Sequence, residues 1–386
     1  MPHHNSVLHD LLKWIPWDAF DALVGEHGAD KHVRRLSTRS QLVAMLYGQL
    51  SGASSLREVV GGLESHANHL YHLGARPVMR SSLADANAKR PHDVFAGLFA
   101  EMVNRAHRGL RRKIGESLYL IDSTGIRLSG LSADWARFSA GICGAKAHVI
   151  YDAEAERPIY AAITAARVND ITAAKAMPIE AGATYILDLG YYDYAWWAKL
   201  DAAGYRIVTR FKSNTPLSVT AELDLPAELS EGSNILSDRI GLLPRRQTKN
   251  RKNPFWDPVR EVRVKTETGK VLRVLSNDLD APAQEIAALY KRRWAIELFF
   301  RWVKQTLKIK HFLGTSENAV RIQIAVALIA YLLLRLAQAA QKHVKSPIAF
   351  ARLVRANLMH RKRLDRLLKP ENPTPKNPNQ LLLQWT

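Results

Sequence analysis

A nearly all-apolar helix late in the chain constrains the fold more than any other feature of the sequence. The stretch YKRRWAIELFFRWVKQTLK (290–308) is apolar around most of its circumference at 3.6 residues per turn. A helix with this pattern belongs in the interior of a protein. Yet Tyr290, Arg293, Glu297 and Lys304 fall on one polar stripe about 60° wide. The sequence therefore predicts a single buried helix that carries a carboxylate flanked by cations.

Two explanations of this polar stripe are open from the helix alone. Glu297 is four residues from both Arg293 and Arg301, the spacing at which helical side chains form ion pairs. A structural row of salt bridges is the common case. The alternative is that the stripe forms one wall of an active site, and the choice depends on the rest of the chain.

The composition indicates a polyanionic partner. The 386 residues contain 55 Lys and Arg against 36 Asp and Glu, a formal net charge of +19, which favours nucleic acid or an anionic membrane surface. Residues 285–386 alone hold 19 basic and 5 acidic residues. The longest apolar run, IAVALIAYLLL (324–334), is shorter than the about 20 residues that span a bilayer. We therefore expect a buried core helix there, no membrane role, and nucleic acid as the partner.

Cysteine usage and the N-terminus favour the cytoplasm. Cys143 is the only cysteine, so a disulfide within the chain is impossible and a reducing compartment is expected. The first residues, MPHHNSVLHDLLKW, lack the basic and apolar regions of a secretory signal. We expect a cytoplasmic protein that is associated with the nucleoid through DNA.

Changes in composition along the sequence divide the chain into a helical N-terminal DNA-binding domain, an α/β core in two parts, a β-rich insertion, a basic helical region and a disordered tail. In that order the predicted bounds are 1–115, 116–211 with 281–340, 212–280, 341–370 and 371–386. A hairpin is predicted around Thr268 and Gly269 within the insertion. Asp280 is the predicted N-cap of the helix that follows.

Two aspartates follow short apolar strands in the α/β core. Asp122 ends YLID before Ser-Thr-Gly, and Asp188 ends YILD before Leu-Gly-Tyr. Each alone is an ordinary turn residue. Together with Glu297, 109 residues after Asp188, they can converge above one edge of a sheet. Three such carboxylates suit a pair of Mg²⁺ ions, as phosphoryl transfer requires.

These motifs resemble the DDE transposases of bacterial insertion sequences. The resemblance is carried by IDSTGI, LDLGYYDY, VTRFKSN and the spacing Tyr-x2-Arg-x3-Glu-x6-Lys, which is similar to the signature of insertion-sequence family four. The stretch from QLVAMLYGQLSG to SSLADANAKR is similar to the helical domain that precedes the catalytic core in many members. The similarity covers roughly residues 30 to 340.

The resemblance implies a ribonuclease-H-like catalytic core that is interrupted, before the glutamate helix, by a mainly β insertion. It implies Asp122, Asp188 and Glu297 as ligands of Mg²⁺, with Mn²⁺ able to substitute. The implied reaction is cleavage at the ends of the element followed by strand transfer into target DNA. The implied partners are double-stranded DNA, namely the terminal inverted repeats and the target, and a second copy of the chain when two ends are bound.

DNA contacts are expected from two parts of the chain. The resemblance implies that Tyr290, Arg293 and Lys304 contact phosphates near the cleaved end. In the insertion, Trp256 can either stack on a base flipped out of the duplex or anchor its loop. The segment RRQTKNRK can follow a phosphate backbone or form a solvated loop, and its basic residues are Arg245, Arg246, Lys249, Arg251 and Lys252.

Other assignments stay open from the sequence. Asp170, a predicted helix N-cap, and Asp152, a predicted turn residue, are the alternative carboxylates. His148 shares a strand face with Lys146 and is predicted to be structural, because no second metal-spaced His or Cys is near it. The alternative functions are a ribonuclease-H-like nuclease or resolvase without strand transfer, and an inactive DNA-binding protein derived from a transposase.

Overall fold

Helices pack on one large mixed sheet in the computed structural model, so the fold is α/β as predicted. The structure describes residues 5–108, 117–180, 182–225, 234–307, 312–341 and 343–367. The predicted tail, 371–386, lies outside the described residues.

The N-terminal part is helical. Its helices are α1 (Val7–Leu12), α2 (Trp17–Glu26), α3 (Thr38–Ser51), α4 (Leu56–Glu64), α5 (Ala67–Leu70), α6 (Arg80–Lys89) and α7 (Asp93–Arg108). Hydroxyl side chains cap several of them. Ser37 accepts a hydrogen bond from the Ser40 N–H at the start of α3, and Ser55 accepts one from the Glu58 N–H at the start of α4.

Ten strands of the described residues form the main sheet. They are β1 (Leu118–Leu128), β2 (Arg137–Ser139), β3 (Ile142–Asp152), β4 (Arg157–Ala165), β5 (Thr184–Leu187), β6 (Arg206–Arg210), β7 (Ser218–Glu222), β8 (Ile235–Leu242), β11 (Val259–Lys265) and β12 (Val271–Ser276). Their order is β4-β3-β1-β5-β6-β12-β11-β8-β7, and β2 pairs with the start of β3. The strands β1, β5 and β6 are parallel, and the other pairings are antiparallel.

The residues of the predicted insertion extend this same sheet. Strand β12 pairs with β6, with Ser276 opposite Val208, so β12, β11, β8 and β7 continue the sheet outward from the core. The predicted β11–β12 hairpin is confirmed, and Gly269 supplies the left-handed turn conformation with φ +82°. A separate small hairpin, β9 (Arg246–Thr248) with β10 (Arg251–Lys252), carries the basic segment.

The longest helix is a core element. The helices after α7 are α8 (Ala133–Ala136), α9 (Asp170–Ala174), α10 (Tyr194–Ala202), α11 (Ala283–Lys291), α12 (Trp294–Thr306), α13 (Glu317–Ala339) and α14 (Pro347–Asn357). With 23 residues, α13 is long and apolar enough to cross a membrane, but 83% of its most apolar stretch is buried inside the protein. It packs on α3, α6 and α7. The predicted core helix is confirmed, although it extends beyond the apolar run that indicated it.

Three local predictions for the segment that carries the polar stripe were wrong. The stretch is broken into α11 and α12, because the N–H of Arg293 bonds to the Tyr290 carbonyl three residues back, as in a 3₁₀ turn. Trp294 is 51% exposed and Leu298 is 47% exposed, so the apolar circumference of α12 is only partly buried. Asp280 caps no helix, because Asp278 forms the preceding turn and accepts the Asp280 N–H.

Candidate active site

The parallel register places three charged side chains in a row. Ile121 of β1 pairs with Leu187 of β5, so Asp122 and Asp188 are the next residues on neighbouring strands. The β5–β6 register continues the row to Arg210, the last residue of β6. Because side chains alternate along strands, the three share one face of the sheet. The Arg210 Nη2 lies 3.9 Å from the Asp188 Oδ1.

Asp122 does not end its strand, contrary to the prediction. Strand β1 runs to Leu128, because β3 pairs with it as far as Cys143. Its parallel neighbour β5 has only four residues and stops at Leu187, immediately before Asp188. The two aspartates therefore come together where the short strand ends beside the long one.

The Asp122 carboxylate is poorly compensated. Its side chain is 16% exposed, and its Oδ1 accepts a hydrogen bond from the Ser123 N–H at 2.7 Å. Burial raises the pKa of Asp122 to about 6, against the Ser123 hydrogen bond. The charges of Asp188 and Glu297 also raise this pKa, and Arg293 lowers it. Burial is the largest cause of this shift, and the two neighbouring carboxylates add to it.

Arg293 links the helix carboxylate to the sheet. Its Nη2 lies 2.5 Å from the Glu297 Oε1, and its Nη1 lies 3.9 Å from the Asp122 Oδ2. The same guanidinium is 5.9 Å from the centre of the Tyr290 ring, and burial raises the pKa of the Tyr290 hydroxyl. The polar stripe therefore contains the ion pair expected from its spacing, and that ion pair also borders the two aspartates.

Contacts with the strands fix the positions of α11 and α12. Arg206 of β6 forms ion pairs with Asp278 at 2.8 Å and with Glu285 of α11 at 2.7 Å. The Phe299 ring of α12 packs 5.1 Å from that of Tyr151 on β3. Lys304 is half-buried at the far end of α12, in a small cavity that is also lined by Thr124 and Ile126 of β1.

A larger cavity adjoins the cluster. It has a volume of about 1070 Å³ and lies between the β11–β12 hairpin and α11. Its lining includes Tyr290, Arg293 and Trp294. Tyr290 and Arg293 of the polar stripe therefore line a cavity on the side of the site that faces the predicted insertion.

The donor set fits a hard divalent cation. Asp122, Asp188 and Glu297 offer only carboxylate oxygens, the ligands that Mg²⁺ and Mn²⁺ prefer. The charges of Asp188 and Glu297 add to the raised pKa of Asp122, and a bound cation would offset both of them. In the part of the chain that the structure describes, no three His, Cys, Asp or Glu side chains are already arranged to hold a metal ion.

The basic hairpin is attached to the loop that follows Asp188. The Gln247 side chain donates to the Tyr192 carbonyl at 2.7 Å and accepts from the Tyr194 N–H at 3.1 Å. The Arg251 guanidinium lies 3.5 Å from the buried Asp193 carboxylate. All five basic residues of the segment are exposed: Arg245, Arg246, Lys249, Arg251 and Lys252.

Trp256 lies beyond the hairpin with its side chain 65% exposed. Its neighbour Phe255 is buried, and the Asn253 side chain bonds to both the N–H and the carbonyl of Phe255. Phe255 therefore anchors the loop and leaves the Trp256 indole accessible.

Comparison with known proteins decides the family. Residues 113–333, more than half of the chain, match the family model described as a transposase DDE domain. The chain belongs to the DDE transposases of insertion sequences. Residues 3–76 match a domain of unknown function, DUF4372.

Two relatives and one solved structure show the extent of the similarity. The transposase is 41% identical over 306 residues to a Sinorhizobium fredii protein that carries the name transposase y4zB, covering 79% of this chain and 82% of the relative. It is 29% identical to the transposase named for element IS5377 of Geobacillus stearothermophilus, covering 72% and 73%. The piggyBac transposase synaptic complex with hairpin DNA aligns with a TM-score of 0.45 and 11% identity, covering 92% of this chain and 80% of that one.

The two alternative carboxylates of the transposase occupy different places. Asp152 accepts the N–H groups of Glu154 and Ala155 in the β3–β4 turn, as predicted, and pairs with Tyr119 three residues before Asp122. Asp170 is the first residue of α9 and not its N-cap, which is Asn169. Its carboxylate lies beside Ser123, next to the candidate site.

Sequence reasoning missed Arg210 as a site residue. The signal was present, because Arg210 ends the strand in YRIVTR as Asp188 follows the strand in YILD. Only the register of β5 and β6 shows that the two side chains meet. His148 is fully buried, and its Nε2 lies 2.8 Å from the Thr164 hydroxyl, as expected of a structural histidine.

Proposed function

We propose that this transposase cleaves DNA at the ends of its insertion sequence and joins the released ends to target DNA. The carrying observation is that Asp122 and Asp188 lie side by side where β5 ends beside β1, and that Arg293 lies between Asp122 and Glu297 of α12. A row of carboxylates that only stabilised the fold would have no need of a desolvated Asp122 beside two other acids.

Asp122, Asp188 and Glu297 are the proposed ligands of Mg²⁺, with Mn²⁺ as a substitute. When bound, the metal ions activate the attacking oxygen and stabilise the leaving oxygen of a phosphodiester. Glu297 is held by Arg293 in the DNA-free protein, so it must exchange this partner to reach the aspartates. The freed guanidinium would then bind a phosphate near the cleaved end, where a planar fork fits two oxygens.

The remaining DNA contacts follow from position and charge. Tyr290 and Arg293 line the adjoining cavity and are proposed to hold the phosphates of the cleaved strand, and Lys304 extends this contact along α12. The exposed basic hairpin is proposed to follow the duplex backbone, since clustered Arg and Lys bind phosphates independently of sequence. The accessible Trp256 is proposed to stack on a base that leaves the duplex.

The core strands around the site are proposed to form the ribonuclease-H-like core that the sequence resemblance implies. The order β4-β3-β1-β5-β6, with three parallel strands that carry the charged row, supports this assignment. A homodimer that holds two element ends is the proposed active assembly, because both ends must be cut and joined together.

Inverted repeats that bracket the gene would supply the substrate for a direct test. Cleavage of a labelled duplex that carries one repeat should require Mg²⁺ or Mn²⁺ and should be abolished in Asp122→Asn, Asp188→Asn and Glu297→Gln, with binding of the repeat largely retained. Asp93→Asn, an exposed residue of α7, is the control. Unchanged cleavage in any of the three variants would remove that residue from the proposed triad.

Two alternative functions give different results with the same substrates. A nuclease or resolvase would cut the repeat but would not join a pre-cleaved end with a free 3′-OH to target DNA. An inactive DNA-binding relative would bind the repeat without cutting it in either metal. Transfer of the pre-cleaved end is therefore the decisive measurement.

A further inference from the structure

A second polar cluster lies beside Ser123 of β1, the residue after Asp122, and Asp170 is at its centre. The Asp170 Oδ1 accepts a hydrogen bond from the Ser123 hydroxyl at 2.7 Å and another from the Lys146 ammonium at 3.1 Å. The Nδ1 of the fully buried His148 lies 3.7 Å from the same oxygen. Lys146 is held in turn by the Val168 carbonyl at 3.1 Å. One carboxylate oxygen thus gathers contacts from β1 and β3.

The other oxygen of Asp170 faces the 3₁₀ turn Leu189–Tyr191, which follows Asp188. A Cβ added at Gly190 would lie 3.2 Å from the Asp170 Oδ2, so the backbone there passes close to this carboxylate. Gly190 is two residues after Asp188, and Ser123 is the residue after Asp122. Asp170 is therefore hydrogen-bonded to the residue after Asp122 and lies close to the backbone two residues after Asp188.

The residues around Asp170 hold its side chain in place. The Asp170 side chain is 24% exposed, and its ammonium partner Lys146 is 23% exposed. Tyr191, which follows Gly190, is buried to 1% exposure. A carboxylate held by partners from β1 and β3 at this exposure resists displacement, because each lost contact would leave a partly desolvated charge without that partner.

We propose that Asp170 is a positioning residue that sets the separation of Asp122 and Asp188, and through it the affinity of the site for a divalent cation. Groups that orient metal ligands in this way affect metal affinity or activity by about 10- to 100-fold. The inference rests on the proposed function, since it assumes that the two aspartates bind the metal. In this proposal Asp170 acts through the two aspartates and is not itself a metal ligand.

The test compares Asp170→Asn with wild type and with Asp93→Asn, which also alters an aspartate in the first turn of a helix, far from the site in sequence. The readouts are the Mn²⁺ dissociation constant of the DNA-free protein, from the EPR signal of free Mn²⁺, and the Mg²⁺ concentration that gives half-maximal cleavage. Asp170→Asn should raise both about tenfold or more. Saturating Mn²⁺ should restore its cleavage, and Asp93→Asn should match wild type.

Two milder variants keep the proposal testable if Asp170→Asn fails to fold. Ser123→Ala removes one hydrogen bond to Asp170, and Gly190→Ala pushes a methyl group against its Oδ2, so both should weaken Mn²⁺ binding in a folded protein. Dissociation constants within twofold of wild type in folded variants would overturn the positioning role. Wild type that binds no Mn²⁺ and cuts no DNA would instead reject the proposed function.

Discussion

The Nη2 of Arg293 lies 2.5 Å from the Oε1 of Glu297. The same guanidinium is 3.9 Å from Asp122, so one cation stands between a helix carboxylate and a strand carboxylate. Arg293 is therefore a counter-ion of both carboxylates in this structure. The two explanations of the polar stripe are therefore compatible, because the ion pair of the free protein is composed of residues proposed to act on DNA.

Arg293→Ala should impair end cleavage far more than folding. We expect cleavage to fall by about 100-fold or more, since one charge-assisted contact to the reacting phosphate is lost. The melting temperature should change little, because the pair with Glu297 is partly solvated. Arg321→Ala is the matched control, since Arg321 also pairs with a glutamate four residues away, Glu317 of α13. A loss of stability that accounts for the lost cleavage would assign Arg293 to the fold alone.

Asp122→Asn should raise the melting temperature of the metal-free protein at pH 7 while it abolishes cleavage. Burial raises the pKa of Asp122 to about 6, so its ionised form costs up to about 3 kcal/mol at neutral pH. A carboxyl with a raised pKa contributes stability below its unfolded pKa and loses it as the pH rises through about 6. Thermal melts in EDTA should show the wild type falling behind the variant between about pH 4 and pH 7. Parallel curves would contradict this prediction.

Gln247→Ala should weaken binding of the element end without unfolding the core. The variant loses two hydrogen bonds that attach the β9–β10 hairpin to Tyr192 and Tyr194, each worth about 1 kcal/mol. Amide hydrogen exchange in the hairpin should accelerate, and the dissociation constant for the repeat should rise severalfold. The exposed neighbour Thr248→Ala serves as the control. Equal exchange and binding in both variants would show that the hairpin needs no such attachment.

Trp256→Ala should reduce affinity for the cleaved end by about 1–3 kcal/mol, the contribution of one base stacked on an aromatic ring. Trp14, which is also partly exposed but lies in the N-terminal helical part, provides the control substitution. Quenching of tryptophan fluorescence on DNA binding should disappear in Trp256→Ala and persist in Trp14→Ala. Persistent quenching in Trp256→Ala would assign the signal to another indole.

The sequence predicted which carboxylates form the site but not where they lie in the fold. Asp122 was expected at a strand end, and its position inside β1 depends on pairing with β3, a non-local contact that periodicity does not reveal. The same holds for Arg210, whose role depends on the register between β5 and β6. Alternation and turn residues predict strands, whereas neighbours in a sheet are set by packing of distant segments.

The break between α11 and α12 could not be predicted from the sequence either. Residues 290–294 contain neither Gly nor Pro, the usual signs of a helix boundary. The break separates Tyr290 from Glu297 at the place where Arg293 turns toward Asp122. The sequence prediction assumed one continuous helix over this stretch. It identified the polar residues of the stripe but not their relative positions in space.

Backbone hydrogen bonds between β6 and β12 have a mechanical consequence. The insertion cannot rotate as an independent body, because its strand β12 is bonded to the strand that ends at Arg210, and the Phe211 N–H also bonds to the Arg273 carbonyl. The basic hairpin is attached through Gln247 and Arg251 to the loop that follows Asp188, so under the proposed DNA contact a force on the hairpin passes to that loop. A shift of that loop would move Asp188, and a shift of β12 would move Arg210, so the proposed DNA contact and the positions of the charged row are mechanically coupled.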